Sequence, residues 1–510
     1  MSENKKIRTL LNSKGYSLLK EDFDDKILDN LRKELTVSPK SSSSFGIVND
    51  NSFPVYKESK NRLYIPKCLG LRKFGLPEIN KINIGVDIDL KFNGKLRENQ
   101  EAPVKAFLDA AKDNIRCGGL INLECGFGKT SIALYIISKL SKKTLVIVHK
   151  DFLLKQWRER IEQFLPDANV GLIKANIIDI EDKDIVVGSL QSLSMKEYDK
   201  GTFDEFGLVV IDEVHRIGSE VFSRALQKIN CKYSLGLSAT MTRKDGLTKV
   251  FKWHIGEIVY KNKTKRKDNV DVICYEYFVE DIKYSNEVLM FNGKPNMARM
   301  INNICEYGPR INLIANIIKN IKKKEKDRNI LVLSDRRNHL KEIKAKLELK
   351  EVGNPGYYVG GMKDHELKKS EQECDILLGT FSMASEGMDI PKLDTIILSS
   401  PKSDIIQSVG RILRKKEEDR VYVPLIIDIN DIFSMFINQS KKREKYYKKC
   451  KYNIIKKTKY NQHIDKNNQD INENNKNINE NNKNNQDKNN QDILNDMKVK
   501  KYKQGKCLIK

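Results

Sequence analysis

Lys129, Thr130, Asp212 and Glu213 are the residue types that phosphate chemistry uses, and their neighbours narrow that chemistry. Lys129 and Thr130 belong to the string LECGFGKTSIALYIISKL (123–140). In a turn that opens a helix, Gly126 and Gly128 let backbone N–H groups approach a β-phosphate with no Cβ in the way. Lys129 then reaches the β- and γ-phosphates, and Thr130 offers its hydroxyl to Mg²⁺. The strict pattern G-x-x-x-x-G-K-[ST] places glycine at 123, where this chain has leucine. Taken alone, the segment also fits a glycine turn that caps an ordinary helix.

The string LVVIDEVHRIG (208–218) separates these readings. A near-continuous apolar run that ends in two acids is costly unless the acids have a partner. Asp212 and Glu213 fall at the C-terminal end of a strand, where open α/β sheets bind ligands. Asp212 can hold Mg²⁺ through water, and Glu213 can orient and deprotonate an attacking water. With the glycine loop upstream, the pair points to nucleotide hydrolysis.

Regular elements must hold these groups. Short β-branched runs at 119–123, 144–148, 184–188, 208–212 and 233–238 read as buried strands, with helices over 130–140 and 151–164. Ile132, Tyr135, Ile136 and Leu140 give the first helix its apolar face. The alternation resumes at 329–334, 375–380, 394–400 and 423–429, which predicts two tandem α/β domains with parallel sheets. Ahead of them, KINIGVDIDLKF alternates Ile82, Ile84, Val86, Ile88 and Leu90, the pattern of a half-buried strand in a small accessory module at about 60–95. SPKSSSSFGIVNDNSFP reads as a flexible connection. The expected boundaries are 1–95 for the N-terminal region, 96–265 and 266–440 for the two domains, and 441–510 for a basic, Asn-rich tail. That tail has too few apolar residues to offset its ordering entropy and is read as mostly disordered.

The formal net charge of +24 attracts polyanions, nucleic acid first among them. Nine cysteines without a Cys-x-x-Cys pair argue against a disulfide framework. No stretch approaches the roughly 20 apolar residues of a spanning helix, so a soluble intracellular protein without a membrane partner is expected.

DEVH (212–215), SAT (238–240) and QSVGRILR (407–414) together resemble superfamily 2 helicases and translocases of the DExH kind. LRENQ (96–100) resembles the group's LRxxQ segment, which implies that Gln100 lies near the adenine. HKDFLLKQWRERIEQFLP and SATMTRKDG are similar to the XPB-like branch. LYIPKCLGLRKFGLP resembles the poxvirus-type transcript-release helicases and their relatives in other large DNA viruses. The departures are Leu123 and also Glu124, where relatives usually carry proline; both bear on nucleotide affinity. The resemblance covers about 96–435 and implies an α/β chain of two RecA-like domains, with ATP and Mg²⁺ as cofactors. It assigns His215, Ser238 and Thr240 to coupling between the nucleotide and the nucleic acid. Arg411 and Arg414 become arginine fingers for the γ-phosphate, with Gln407 one helical turn earlier. The loop TFSMASEGMDIPKLD (380–394) brings Gly387 to the nucleotide and Asp389 near the ribose.

The implied activity is an ATP-dependent helicase or translocase acting in viral transcription, such as transcript release, or in DNA metabolism. A translocase without unwinding and a binding scaffold with an inactive nucleotide site are the alternatives. Nucleic acid, DNA or RNA, is the expected partner and is gripped through phosphates without sequence preference. Arg336, Arg337, the HKDF turn, KNKTKRK (261–267) and the tyrosine-bearing 441–460 stretch are the candidate contacts. The transcription machinery is a further expected partner. The chain is expected to act as a monomer, in the virion or a cytoplasmic virus factory.

Overall fold

Strand Leu208–Ile211 shows how the sequence builds the sheets. Its side chains alternate between two apolar layers, Leu208 and Val210 on one face, Val209 and Ile211 on the other, and all four are buried. Thr144–Val148 divides in the same way, Leu145 and Ile147 against Val146 and Val148. Strands covered on both faces read as unbroken apolar runs, which makes parallel strands of this kind legible in the sequence.

The computed structural model describes residues 8–39, 52–124, 126–216, 219–241, 245–262, 268–386, 388, 390–415 and 417–462. The chain divides into two compact units, Met1–Thr264 and Lys265–Lys510. Among the described residues no helix is long and apolar enough to cross a membrane.

The first unit holds an eight-stranded sheet in the order Ile177–Asp179, Val170–Lys174, Ile185–Ser189, Thr144–Val148, Leu208–Ile211, Tyr233–Ser238, Gly118–Asn122, Ile258–Lys261. All neighbours are parallel except the first pair. Helices Glu98–Lys112, Lys129–Leu140 and Asp151–Phe164 contribute to one apolar layer. The C-terminal ends of the Gly118–Asn122, Leu208–Ile211 and Tyr233–Ser238 strands carry the loop, the acids and the SAT string.

The N-terminal module begins earlier than the predicted 60. Thr9–Asn12, Gly15–Leu19, Lys57–Glu58, Arg62–Ile65 and Ile79–Asn80 form a five-stranded mixed sheet, with helix Asp25–Leu35 between its second and third strands in sequence. A second helix, Lys67–Phe74, fastens the module to the eight-stranded domain. The buried Lys67 ammonium donates to the Cys231 and Lys232 carbonyls at 2.6 and 2.9 Å. Most of the connection expected to be flexible, residues 40–51, lies outside the described residues. The strand expected over 82–90 does not form. That segment makes only isolated bridges, Asn83 with Cys231 and Asp87 with Lys142. Ile84 and Val86 are half exposed, while Ile88 and Leu90 are buried under the helices. The alternation is real, but no neighbouring strand completes a ladder.

The second unit is a seven-stranded, all-parallel sheet in the order Pro355–Tyr358, Ile376–Thr380, Ile330–Ser334, Thr395–Leu398, Leu425–Asp431, Asp271–Val279, Asn453–Gln462. It continues past the predicted end at 440. Helix Phe436–Cys450 packs on the sheet, and Asn453–Gln462 becomes its edge strand. Arg443, buried to 2% exposure, donates to Asp428 and Asn430 on strand Leu425–Asp431. The basic composition of 441–462 therefore conceals a folded element; the Asn-rich remainder lies outside the described residues.

Candidate active site

Strand Gly118–Asn122 leads into Leu123, whose side chain is fully buried and whose N–H bonds to the Ser238 carbonyl at 3.0 Å. Position 123 is thus the end of a core strand, and leucine there serves packing that glycine would forgo. Glu124 is exposed. The turn that follows needs its glycines. Gly126 has φ +82°, and a Cβ there would meet nothing within 4 Å, so the loop is open above it. Gly128 caps helix Lys129–Leu140 at φ 88°, ψ 41°. A Cβ on Gly128 would lie 2.3 Å from Gln100 Nε2. Gln100 is itself buried; its Nε2 donates to the Phe127 carbonyl at 2.8 Å, and its Oε1 accepts from Arg97 N. Gln100 therefore braces the glycine loop directly.

The acids come to the same place. Lys129 Nζ lies 2.6 Å from Glu213 Oε1, joining the loop to the end of strand Leu208–Ile211. Glu213 has φ 48°, an unusual backbone for a residue with a Cβ. Its N–H donates to Asp212 Oδ1 at 2.9 Å. Asp212 Oδ2 accepts the indole N–H of Trp157, on helix Asp151–Phe164, at 3.0 Å. Burial, and then the Glu213 charge, push the Asp212 carboxyl up to about 6, against the pull of Lys129 and the Trp157 bond. A carboxylate held at this desolvation cost is poised for a cation. The glycine turn, the Lys129 ammonium, the Thr130 hydroxyl at the first helical turn and this acid fit a magnesium–triphosphate.

His215 Nδ1 and Ser238 Oγ are 2.7 Å apart. The Ser238 hydroxyl donates to the Thr240 carbonyl at 2.5 Å and accepts from the Thr240 N–H at 3.2 Å. Ser238 thus links the His215 ring to the Thr240 backbone. His215 Nδ1 also lies 3.4 Å from Glu213 Oε2. The structure thus brings Gln100, Gly128, Lys129, Asp212, Glu213, His215, Ser238 and Thr240 into one connected set within the first unit.

In the second unit, Gln407 lies on the short helix Ile406–Val409 and Arg411 on the 3₁₀ turn Gly410–Leu413; both are buried. Arg411 Nε donates to the Ala384 carbonyl and Nη1 to the Met388 carbonyl, at 2.5 Å each. The guanidinium thereby ties this turn to helix Phe381–Glu386, which follows strand Ile376–Thr380, and to Met388 just beyond it. Arg414 is partly exposed. Gly387 and Asp389 lie outside the described residues, as do 263–267 of the KNKTKRK string.

Two of the expected nucleic-acid contacts are engaged within their own unit. Arg336 donates to Asn302 Oδ1 and to the Ala298 carbonyl, and Arg337 to the Gly360 carbonyl. Tyr447 is buried with its hydroxyl on Asp428 at 2.9 Å, and Tyr446 packs edge-on to Tyr452. These tyrosines pack the C-terminal helix. The sequence reading did not single out Trp157, which shares the buried apolar face of its helix with Leu153, Leu154 and Ile161 and so reads as ordinary core.

Residues 93–243 match the family described as Type III restriction enzyme, res subunit, and residues 310–416 match the Helicase conserved C-terminal domain. The chain is 37% identical over 463 residues to the Putative ATP-dependent RNA helicase L396 of Acanthamoeba polyphaga mimivirus, covering 88% of this chain and 87% of that protein. It is 28% identical to the Putative helicase 161L of Invertebrate iridescent virus 6, over 71% of this chain and 83% of the relative. It is also 28% identical to the Probable helicase D10 of Escherichia phage T5, over 80% and 87%. The chain belongs to the superfamily 2 helicases that pair these two domains, and it is related to viral ATP-dependent helicases.

Proposed function

We propose that this chain is a nucleic-acid-stimulated ATPase that moves along or separates strands, with transcript release or DNA metabolism of a large DNA virus as its setting. The observation that carries the reading is the 2.6 Å contact between Lys129 and Glu213, beside an Asp212 carboxylate made costly by burial. A loop lysine and a strand-end glutamate from positions 84 residues apart meet where phosphate and water must meet for hydrolysis. Lys129 neutralises the β- and γ-phosphates, Thr130 and Asp212 hold Mg²⁺, and Glu213 takes a proton from the attacking water. Mg²⁺ supplies charge neutralisation at the phosphates. Releasing Glu213 from Lys129 when a γ-phosphate takes the ammonium frees the base at the moment it is needed. His215, Ser238 and Thr240 pass the state of Glu213 along the SAT segment. Gln100 braces the loop beside the adenine. Their string implies that Arg411 and Arg414 neutralise phosphate charge, Arg411 leaving the Ala384 and Met388 carbonyls to do so, with Gln407 one turn earlier and Gly387 and Asp389 serving the nucleotide.

Support for the viral setting comes from the LYIPKCLGLRKFGLP string and from the viruses that carry the relatives. A relative named for RNA makes RNA the first polynucleotide to try beside DNA. The test is the ATPase rate of the purified chain against single- and double-stranded DNA and RNA. Lys129→Ala and Glu213→Gln are expected to lower the stimulated rate at least about 10²-fold while nucleic-acid affinity stays within about threefold. Turnover by Glu213→Gln at the wild-type rate removes the assigned base.

A further inference from the structure

We propose that Trp157 is a positioning residue for the metal: its indole N–H fixes the Asp212 carboxylate that holds Mg²⁺. The inference rests on the nucleotide site proposed above and extends it to a residue that contacts neither phosphate nor metal.

An aspartate's terminal torsion is soft, so a carboxylate at a strand end does not choose its own orientation. Here both oxygens are taken. Oδ1 receives the Glu213 N–H from its own chain segment at 2.9 Å, and Oδ2 receives Trp157 Nε1 from a different element at 3.0 Å. One donor on each oxygen, from two different elements, fixes the orientation of the group. A carboxylate has about four lone-pair sites, so two remain for metal-bound water.

The indole is 1% exposed and sits in the apolar layer formed by helices Lys129–Leu140 and Asp151–Phe164 with the sheet. Packing alone would be met by phenylalanine. The N–H is a liability in that layer unless an acceptor is present, and the acceptor it finds is the acid of the DEVH string. Donors that orient a metal's own ligands typically alter metal affinity by about 10–100-fold when lost, and with water between Asp212 and the metal the low end of that range is expected.

Trp157→Phe in the full chain keeps the ring and removes the donor. The probe is a fluorescent, non-hydrolysable ATP analogue titrated with Mg²⁺, beside the same analogue in EDTA. The expected result is metal-free affinity within about twofold of wild type and a Mg²⁺ requirement for tight binding raised about tenfold. A general packing defect moves both affinities together, and an unchanged Mg²⁺ requirement overturns the proposal; either result counts against it. Should Trp157→Phe fail to fold, Trp253→Phe leaves Trp157 as the sole tryptophan of the chain. Its emission is then expected to change when Mg²⁺ is added to the nucleotide-bound protein and to stay constant when EDTA replaces the metal. Emission indifferent to Mg²⁺ overturns the assignment. Wild-type protein that binds no analogue under any condition overturns the nucleotide site itself, which keeps the two failures distinct.

Discussion

Glu213 combines a left-handed backbone with a carboxylate bonded to Lys129, and such strain persists only where the surroundings over-determine it. Other single residues set the response to acid. His254 in the first unit and His339 in the second are buried, and burial lowers both imidazoles to about 3. An unfolded histidine titrates near 6.5, so between about 3 and 6.5 the unfolded chain binds protons that the native one refuses. Stability is therefore intact above 6.5 and declines as pH falls below it, by about 1.4 kcal/mol per pH unit for each group. His339→Gln retains a hydrogen-bonding partner for Ser334 and removes the titration. The variant is expected to lose about 1 kcal/mol less than wild type between pH 7.5 and 5.5, measured by urea unfolding. An identical loss in both proteins would exclude His339 as a source. The site acids and the loop lysine were legible because residue type and local context announce them. Trp157 was not, because its partner lies 55 residues away and only folding introduces them.

Elements were legible in proportion to how completely they are buried. Strands such as Ile330–Ser334 and Thr395–Leu398, covered on both faces, stand out as apolar runs. The alternating 82–90 segment carries a strand's pattern without a strand's neighbours, and pattern cannot reveal whether a ladder exists. Helix Phe436–Cys450 fails in the opposite direction. Its lysines suggest a solvated tail, yet its packing rests on Phe436, Tyr447 and a buried arginine. Arg443 bonds Asp428, Asn430 and the Lys402 carbonyl, and Tyr447 shares Asp428. Removing one partner of a buried ion pair strands the other charge, which costs about 3–5 kcal/mol. Arg443→Ala is accordingly expected to lower the stability of the second unit by that amount, read as a fall in the denaturant midpoint. A loss below 1 kcal/mol would mean that the helix is an appendage after all. The lesson is that composition misleads where a charge is buried with its partner.

At the scale of the whole molecule, the +24 formal charge has to be located before it can explain anything. Residues 463–510 carry ten lysines but also seven acids, so the tail holds little of the excess. The remainder of the chain, with its two parallel-sheet domains and N-terminal module, supplies nearly all of it. Binding through phosphates releases counterions, so affinity falls with salt along a slope of about 0.7 per neutralised phosphate on single strands and about 0.9 on duplex. If the folded domains make those contacts, a chain ending at Gln462 keeps both the slope and the stimulated ATPase. The expected outcome is a slope changed by less than about one unit on truncation, measured from binding at several salt concentrations on a fixed single strand. The ATPase maximum should also stay within about twofold, because the phosphate loop and the Asp212–Glu213 pair both lie outside the tail. A tail that acts as an electrostatic arm predicts something else: a slope flattened by several units and a higher polynucleotide concentration for half-maximal turnover, with the maximum itself intact. That second pattern would move the nucleic-acid grip away from the parallel-sheet domains and onto the Asn-rich segment.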